Sequence, residues 1–309
     1  MPKSSDLQAV GESYPGARPE AHLDALRRMQ NADGGWGYFP NKQSWLEPTA
    51  YAALALHGEP AADRAWGLIQ SWQLPDGGWR PAADVQIANW TTALCVTIAT
   101  VRKDFGNPFQ KGVEWLLGSK GVESRLMYRI ATRVGMLEGD RNFSLKGWPW
   151  KPGTSSWVEP TAHTLVALRQ ASAHVPSKMR ADLVERVLLG EAQLIDVRCR
   201  DAGWNYGNRA VLRLDLPSYP ETTALALIGL QGNGNVSESI ARAKQMVSDP
   251  LQGAAKSPLS RAWLRLALRL HGVQVDLPVG QPLRDVVVTA VDAIGASAGY
   301  EVFRAGGIA

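Results

Sequence analysis

The sequence predicts an all-α protein, an α/α toroid of about five to six helical hairpins arranged as an inner and an outer ring. Three observations predict it. A Gln-x-x-Asp-Gly-Gly-Trp turn occurs at residues 30–36 and again at 73–79, so that Trp36 and Trp79 stand 43 positions apart. Eleven positions after each Trp an apolar, small-residue segment begins, at Glu47-Pro48-Thr49-Ala50 and at Trp90-Thr91-Thr92-Ala93. An amphipathic segment precedes each turn. Units of this length, each unable to bury its apolar face alone, stack on their neighbours.

The elements follow in order. Residues 21–29, 62–72, 108–117, 181–194 and 236–247 place apolar side chains every three to four positions, which gives a helix one buried face. These form the outer ring. Residues 49–56, 91–98, 161–168 and 223–230 are Ala-rich and apolar all round, so they are helices buried on every side. These form the inner ring. The third turn is reduced to Gly147-Trp148, with Glu159-Pro160-Thr161-Ala162 again eleven positions after the Trp. The fourth, Ala202-Gly203-Trp204, is followed by Glu221-Thr222-Thr223-Ala224 after seventeen positions, an excess of six around 213–217. A fifth inner helix spans residues 257–272 without a turn signature. Residues 121–138 read as an extra helix inserted near the third turn, and 282–297 as a further outer helix. Residues 1–19 form an N-terminal extension and 20–309 a single toroid domain.

The turn residues have physical reasons. Paired glycines permit positive φ and a tight reversal. Asp33 and Asp76 are placed to accept from nearby backbone amides. The Gln amide can satisfy groups left bare at a helix end, and the Trp covers the junction. This use explains 12 Trp against 5 Phe and 7 Tyr.

Composition excludes several classes. The net charge of +4 comes from scattered basic residues, without the basic stripe that nucleic acid demands. Two cysteines, Cys95 and Cys199, build no disulfide framework. The N-terminus lacks an apolar signal core, and no apolar stretch approaches the roughly 18 residues of a membrane span. The expected compartment is the cytoplasm.

The repeated turns resemble the QW motifs of the squalene–hopene cyclase, oxidosqualene cyclase and protein prenyltransferase superfamily, over about residues 20 to 272. Within it the chain looks like a single-toroid member. The resemblance implies an inward pocket for an isoprenoid. In the class II cyclases of that superfamily an Asp-x-Asp-Asp-Thr-Ala motif opens an inner helix, its middle Asp protonates an alkene or epoxide, and aromatic faces stabilise the cation. Here the proton-donor position falls on Glu47, Trp90, Glu159 and Glu221, and the next carboxylate on Pro48, Thr91, Pro160 and Thr222. No copy keeps the full acid motif.

The candidate catalytic residues are therefore Glu159, Glu221 and Glu47. Glu159 leads because Trp148, Trp150 and Trp157 surround it in sequence. Glu221 has Tyr219 and the inserted loop with Arg213 beside it, and Glu47 has Trp45. The candidate substrate-binding set is Trp45, Trp90, Trp148, Trp150, Trp157, His163, Tyr219 and Arg213. A structural reading stands beside the catalytic one, since Glu suits the first turn of a helix and Pro48 and Pro160 suit the same place. Arg129 and Arg133, one turn apart, are placed to meet an anionic head group or to lie on the surface.

No metal and no cofactor are expected. Cys95, Cys199 and His163 lack the spacing of the prenyltransferase zinc site. There is no Asp-Asp-x-x-Asp cluster and no glycine-rich phosphate loop. The expected partner is a hydrophobic, isoprenoid-like small molecule rather than nucleic acid, with peripheral membrane contact compatible and a partner subunit left open. Three functions remain: acid-initiated isoprenoid cyclisation with a Glu as the acid, a non-catalytic toroid that binds an isoprenoid, lipid or peptide, and a polysaccharide lyase.

Overall fold

The computed structural model describes residues 19–133, 142–211, 214–248 and 257–307. It is an α/α toroid. Six inner helices follow one another around a ring among these residues: α2 (Leu46–Ala55), α4 (Thr92–Arg102), α7 (Val158–Ala171), α9 (Pro220–Gly229), α11 (Pro258–Leu270) and α12 (Val286–Ala296). Each packs on the next, and α12 packs on α2 to close the ring. The outer helices are α1 (Pro19–Met29), α3 (Pro60–Ser71), α5 (Asn107–Gly118), α8 (Ser177–Asp196) and α10 (Ser237–Ser248). Each sits behind the inner helix of the preceding unit: α3 behind α2, α5 behind α4, α8 behind α7 and α10 behind α9.

The last helix corrects one expectation. Residues 282–297 were expected to supply an outer helix, yet α12 lies in the inner ring with α1 behind it. The reason is visible in its composition. Val286, Ala290, Val291, Ala293 and Ile294 are all buried, so no polar face is left for an outer position. Extended chain occupies the outer place behind α11, where Val273, Val275 and Leu277 pack on the core and the Leu277 and Pro278 carbonyls accept from Arg265.

The turns act as joints. The backbone N–H of Trp36, Trp79, Trp148 and Trp204 donates to the hydroxyl of Thr49, Thr92, Thr161 and Thr223 on the following inner helix, at 2.9 to 3.0 Å. Their indole N–H groups donate to carbonyls at the ends of the outer helices, on Leu26, Ile69, Leu116 and Leu194. Gln30 and Gln73 each donate to a carbonyl of their own turn and to one at the start of the next outer helix, Ala61 and Pro108. Gly34 and Gly77 have φ of +90° and +93°, and a Cβ there would meet the Arg64 or Lys111 carbonyl at 2.9 and 2.6 Å. Glycine is required for both reasons.

A further set of bonds links neighbouring units. A residue at the start of an inner helix donates its N–H to the carbonyl two positions past the next turn Trp: Leu46 to Pro81, Trp90, two residues before α4, to Trp150, and Val158 to Tyr206. Val286 donates to Tyr38 in the same way, at 3.0 Å, which carries the pattern from the last helix back to the first turn.

The third unit departs from the others. Helix α6 (Leu126–Arg133) stands between α5 and its turn; the remainder of 121–138, beyond residue 133, lies outside the described residues. The turn Asp of the other copies is replaced there by Glu123, whose Oε1 accepts from the Ser156 N–H at 2.9 Å. Ser218 donates to Asp201 from the matching position of the fourth unit. The six extra residues of the fourth unit hold a small antiparallel hairpin, β1 (Ala210–Val211) and β2 (Leu214–Asp215).

Candidate functional site

The inner helices all begin at the same end of the ring, and their second residues form its mouth. Those positions hold Glu47, Glu159, Glu221, Leu259 and Val287, and Trp90, two residues before α4, stands at the matching offset from its turn Trp. One helical turn deeper, four positions on, they hold Tyr51, Leu94, His163, Leu225, Trp263 and Val291, all buried. An i, i+4 pair lies on one face of a helix, so the site has two tiers.

The upper tier brings Glu47 and Glu159 together. Tyr38, from the first turn, donates its hydroxyl to Glu47 Oε2 at 2.6 Å. Burial raises the Glu47 pKa, the Tyr38 bond opposes this, and Asp285 at the start of α12 adds to the rise. Burial likewise raises Glu159, and the Glu47 charge raises it further, to about 8. Glu159 is largely enclosed by protein yet keeps part of its surface accessible. Position at a helix N-terminus favours ionisation, but desolvation outweighs it here.

Glu221 is spent differently. Its carboxylate accepts from Ser260 Oγ at 3.0 Å and from the Tyr206 hydroxyl at 3.3 Å. It ties α9 to α11 and to the fourth turn.

The aromatic candidates separate into two groups. Trp90, Trp150, Trp157 and Trp45 belong to the mouth. Trp90 stands edge-on to Trp150 at 5.1 Å and lies 5.4 Å from His163. Trp45 and Trp157 are half-buried residues that cap α2 and α7, and Trp45 lies 6.1 Å from Tyr38. Tyr219 caps α9, is exposed, and lies 5.6 Å from Tyr206. Trp148 is instead a turn residue inside the wall. Both its N–H groups are taken up by the scaffold, and Arg186 covers its ring at 3.7 Å. Arg213 and the side chains of Arg129 and Arg133 lie outside the described residues.

The lower tier closes the lumen. His163 Nε2 and the Tyr51 hydroxyl meet at 2.9 Å, although α2 and α7 are not neighbours in the ring. Trp263 stands edge-on to both rings, and Phe303 packs against both. Burial lowers His163 to about 3, so its imidazole is neutral. Burial, followed by the Glu159 and Glu47 charges, pushes the Tyr51 phenol well above its ordinary value.

Tyr38, Tyr51, Asp285, Trp263 and Phe303 were not anticipated. Tyr51 and Trp263 carried a signal, since they occupy the position of His163 once the repeats are aligned on their second residues. Phe303 lies outside every repeat and carried none. Among the described residues no three His, Cys, Asp or Glu side chains gather so as to hold a metal ion, and no helix is long and apolar enough to cross a membrane.

No family model matches the chain. A stretch of 63 residues is 44% identical to drimenyl diphosphate synthase of Streptantibioticus cattleyicolor, covering 19% of this chain and 12% of that protein. The type II terpene cyclase MstE from Scytonema, in its apo form, matches over 90% of this chain and 76% of its own, with a TM-score of 0.51 and 16% identity. A reducing-end-xylose releasing exo-oligoxylanase matches over 94% and 95%, with a TM-score of 0.58 and 11% identity. These likenesses establish the ring architecture, which proteins of two different chemistries share.

Proposed function

We propose that this chain is a terpenoid-cyclase-like protein of the QW-repeat superfamily, in which Glu159, paired with Glu47, supplies the proton that starts cyclisation of an isoprenoid. The observation that carries the reading is the Glu159 carboxyl, held to about 8 at an aromatic-rimmed mouth and beside a second carboxylate. At neutral pH the pair retains a proton. Transfer of that proton to the substrate leaves a carbocation, for which the faces of Trp90, Trp150 and Trp157 offer cation–π stabilisation. Loss of a proton from carbon back to the carboxylate pair ends the reaction, so the change is an isomerisation with no net redox. A carboxyl near 8 is a weak acid, and this favours an epoxide oxygen over an unactivated alkene as the acceptor. The local likeness to drimenyl diphosphate synthase supports the terpenoid class, as does the fold of MstE, a variant of which binds its product merosterolic acid A.

A second reading is a non-catalytic toroid that holds an isoprenoid, lipid or peptide. The filled lower tier favours it, because Tyr51, His163, Trp263 and Phe303 leave the lumen too little depth to enclose a whole substrate for cyclisation, while the mouth can hold the end of a chain. Exposed Leu126, Met127 and Ile130 on α6 support peripheral membrane contact under either reading.

The test is incubation with farnesyl and geranylgeranyl diphosphates, squalene and oxidosqualene, with products resolved by gas chromatography and mass spectrometry. A cyclic product is expected, and Glu159→Gln is expected to reduce its rate by about 100-fold or more. Absence of product with all four, together with unchanged isoprenoid binding in Glu159→Gln, refutes the acid role and leaves the binding reading.

A further inference from the structure

The far end of the ring is stopped by a segment that belongs to no repeat. Residues Ala298–Phe303 form a short 3-10 helix after α12. Gln170, at the end of α7, donates to the carbonyls of Val302 and Arg304. Gln231, just past α9, donates to the Phe303 carbonyl at 2.9 Å and accepts from the Ala305 N–H. Arg304 donates to the Leu270 carbonyl at the end of α11. The segment is therefore tied to the C-terminal ends of three inner helices, opposite the glutamates. From this anchorage the Phe303 side chain enters the lumen, where it is fully buried. Its ring lies 6.4 Å from Tyr51 and 5.8 Å from His163. Those two rings are the floor beneath Glu47 and Glu159.

Resting on the isoprenoid reading above, we propose that Phe303 sets the depth of the glutamate site and with it the chain length that the site accepts. Phe303 stands behind the Tyr51–His163 pair and leaves these rings no room to tilt away from the mouth. The native site then takes only the end of an apolar chain. Removal of the Phe303 ring opens a space lined by Tyr51, His163 and Trp263. The ring faces of these three side chains offer apolar surface to a ligand there.

The test is calorimetric binding of prenol, geraniol and farnesol to the full chain and to Phe303→Ala. For the native protein affinity is expected to level off at geraniol, with farnesol less than about threefold tighter. For Phe303→Ala farnesol is expected to bind at least about tenfold tighter than geraniol. Phe303→Leu, which empties less of the space, supplies an intermediate step and serves if the Ala variant does not fold. An equal gain from geraniol to farnesol in native and variant proteins overturns the depth assignment and leaves the isoprenoid reading standing. Native protein that binds none of the alcohols overturns the isoprenoid reading. Variants that also bind none overturn the depth assignment with it, whereas a variant that gains farnesol binding sustains it.

Discussion

The His22 imidazole on the first helix lies 3.3 Å from the Asp292 carboxylate on the last. Asp292 also accepts from the buried Arg265 guanidinium of α11, so one carboxylate joins α1, α11 and α12 where the ring closes. Burial opposes ionisation of Asp292, but His22 and Arg265 outweigh it and hold the carboxyl below its ordinary value. Asp292→Asn leaves Arg265 buried without a counter-charge, and the expected loss is about 3–5 kcal/mol in chemical denaturation.

The same pair sets an acid limit. A carboxyl whose folded pKa is depressed stabilises the fold above its unfolded value of about 3.9. That contribution is lost as pH falls through the folded value. Stability of the native protein is expected to drop below about pH 4, and Asp292→Asn to lack that part of the drop. Parallel acid profiles for the two proteins would count against the seam.

Glu159 titrates with the opposite sign. Its folded pKa of about 8 lies above the unfolded value, so the fold keeps a proton that the unfolded chain releases. Stability therefore falls as pH rises from about 4.3 to about 8 and is level beyond. Glu159→Gln is expected to melt with the native protein at pH 4 and progressively above it towards pH 8. A melting difference that does not grow with pH would show that Glu159 is not held protonated.

The turn bonds are expected to be equal in kind. Thr161→Val removes the acceptor of the buried Trp148 N–H, and Thr92→Val that of Trp79. Each should lose about 1–3 kcal/mol in urea unfolding with prenol binding unchanged. Weakened binding at unchanged stability would move these residues from the scaffold to the site.

Glu123 should behave as the missing turn aspartate. Glu123→Ala leaves the buried Ser156 N–H without its acceptor, and about 1–3 kcal/mol is expected from thermal unfolding. A neutral result would mean that the third turn holds without it.

Much of the fold was legible because helix periodicity and turn chemistry are local. Gln-x-x-Asp-Gly-Gly-Trp states its own hydrogen bonds, and the structure makes them. Helix α12 was misplaced because residues 282–297 fall outside the repeat; only the burial of nearly every side chain on it marks it as inner. The placement of the candidate site residues was half legible. Glu47 and Glu159 stand at a fixed offset from their turn Trp, whereas Glu221 stands at the same place and is drawn off by Ser260 and Tyr206.

The sequence by itself determined the repeat, the two kinds of helix and four of the positions that open the mouth, because each depends on residues within one turn or one hairpin. Tertiary structure alone decided which carboxylates share an environment and what lies beneath them. Tyr51, His163 and Phe303 come from separate parts of the chain, and desolvation of a carboxyl depends on all that surrounds it rather than on its neighbours in sequence.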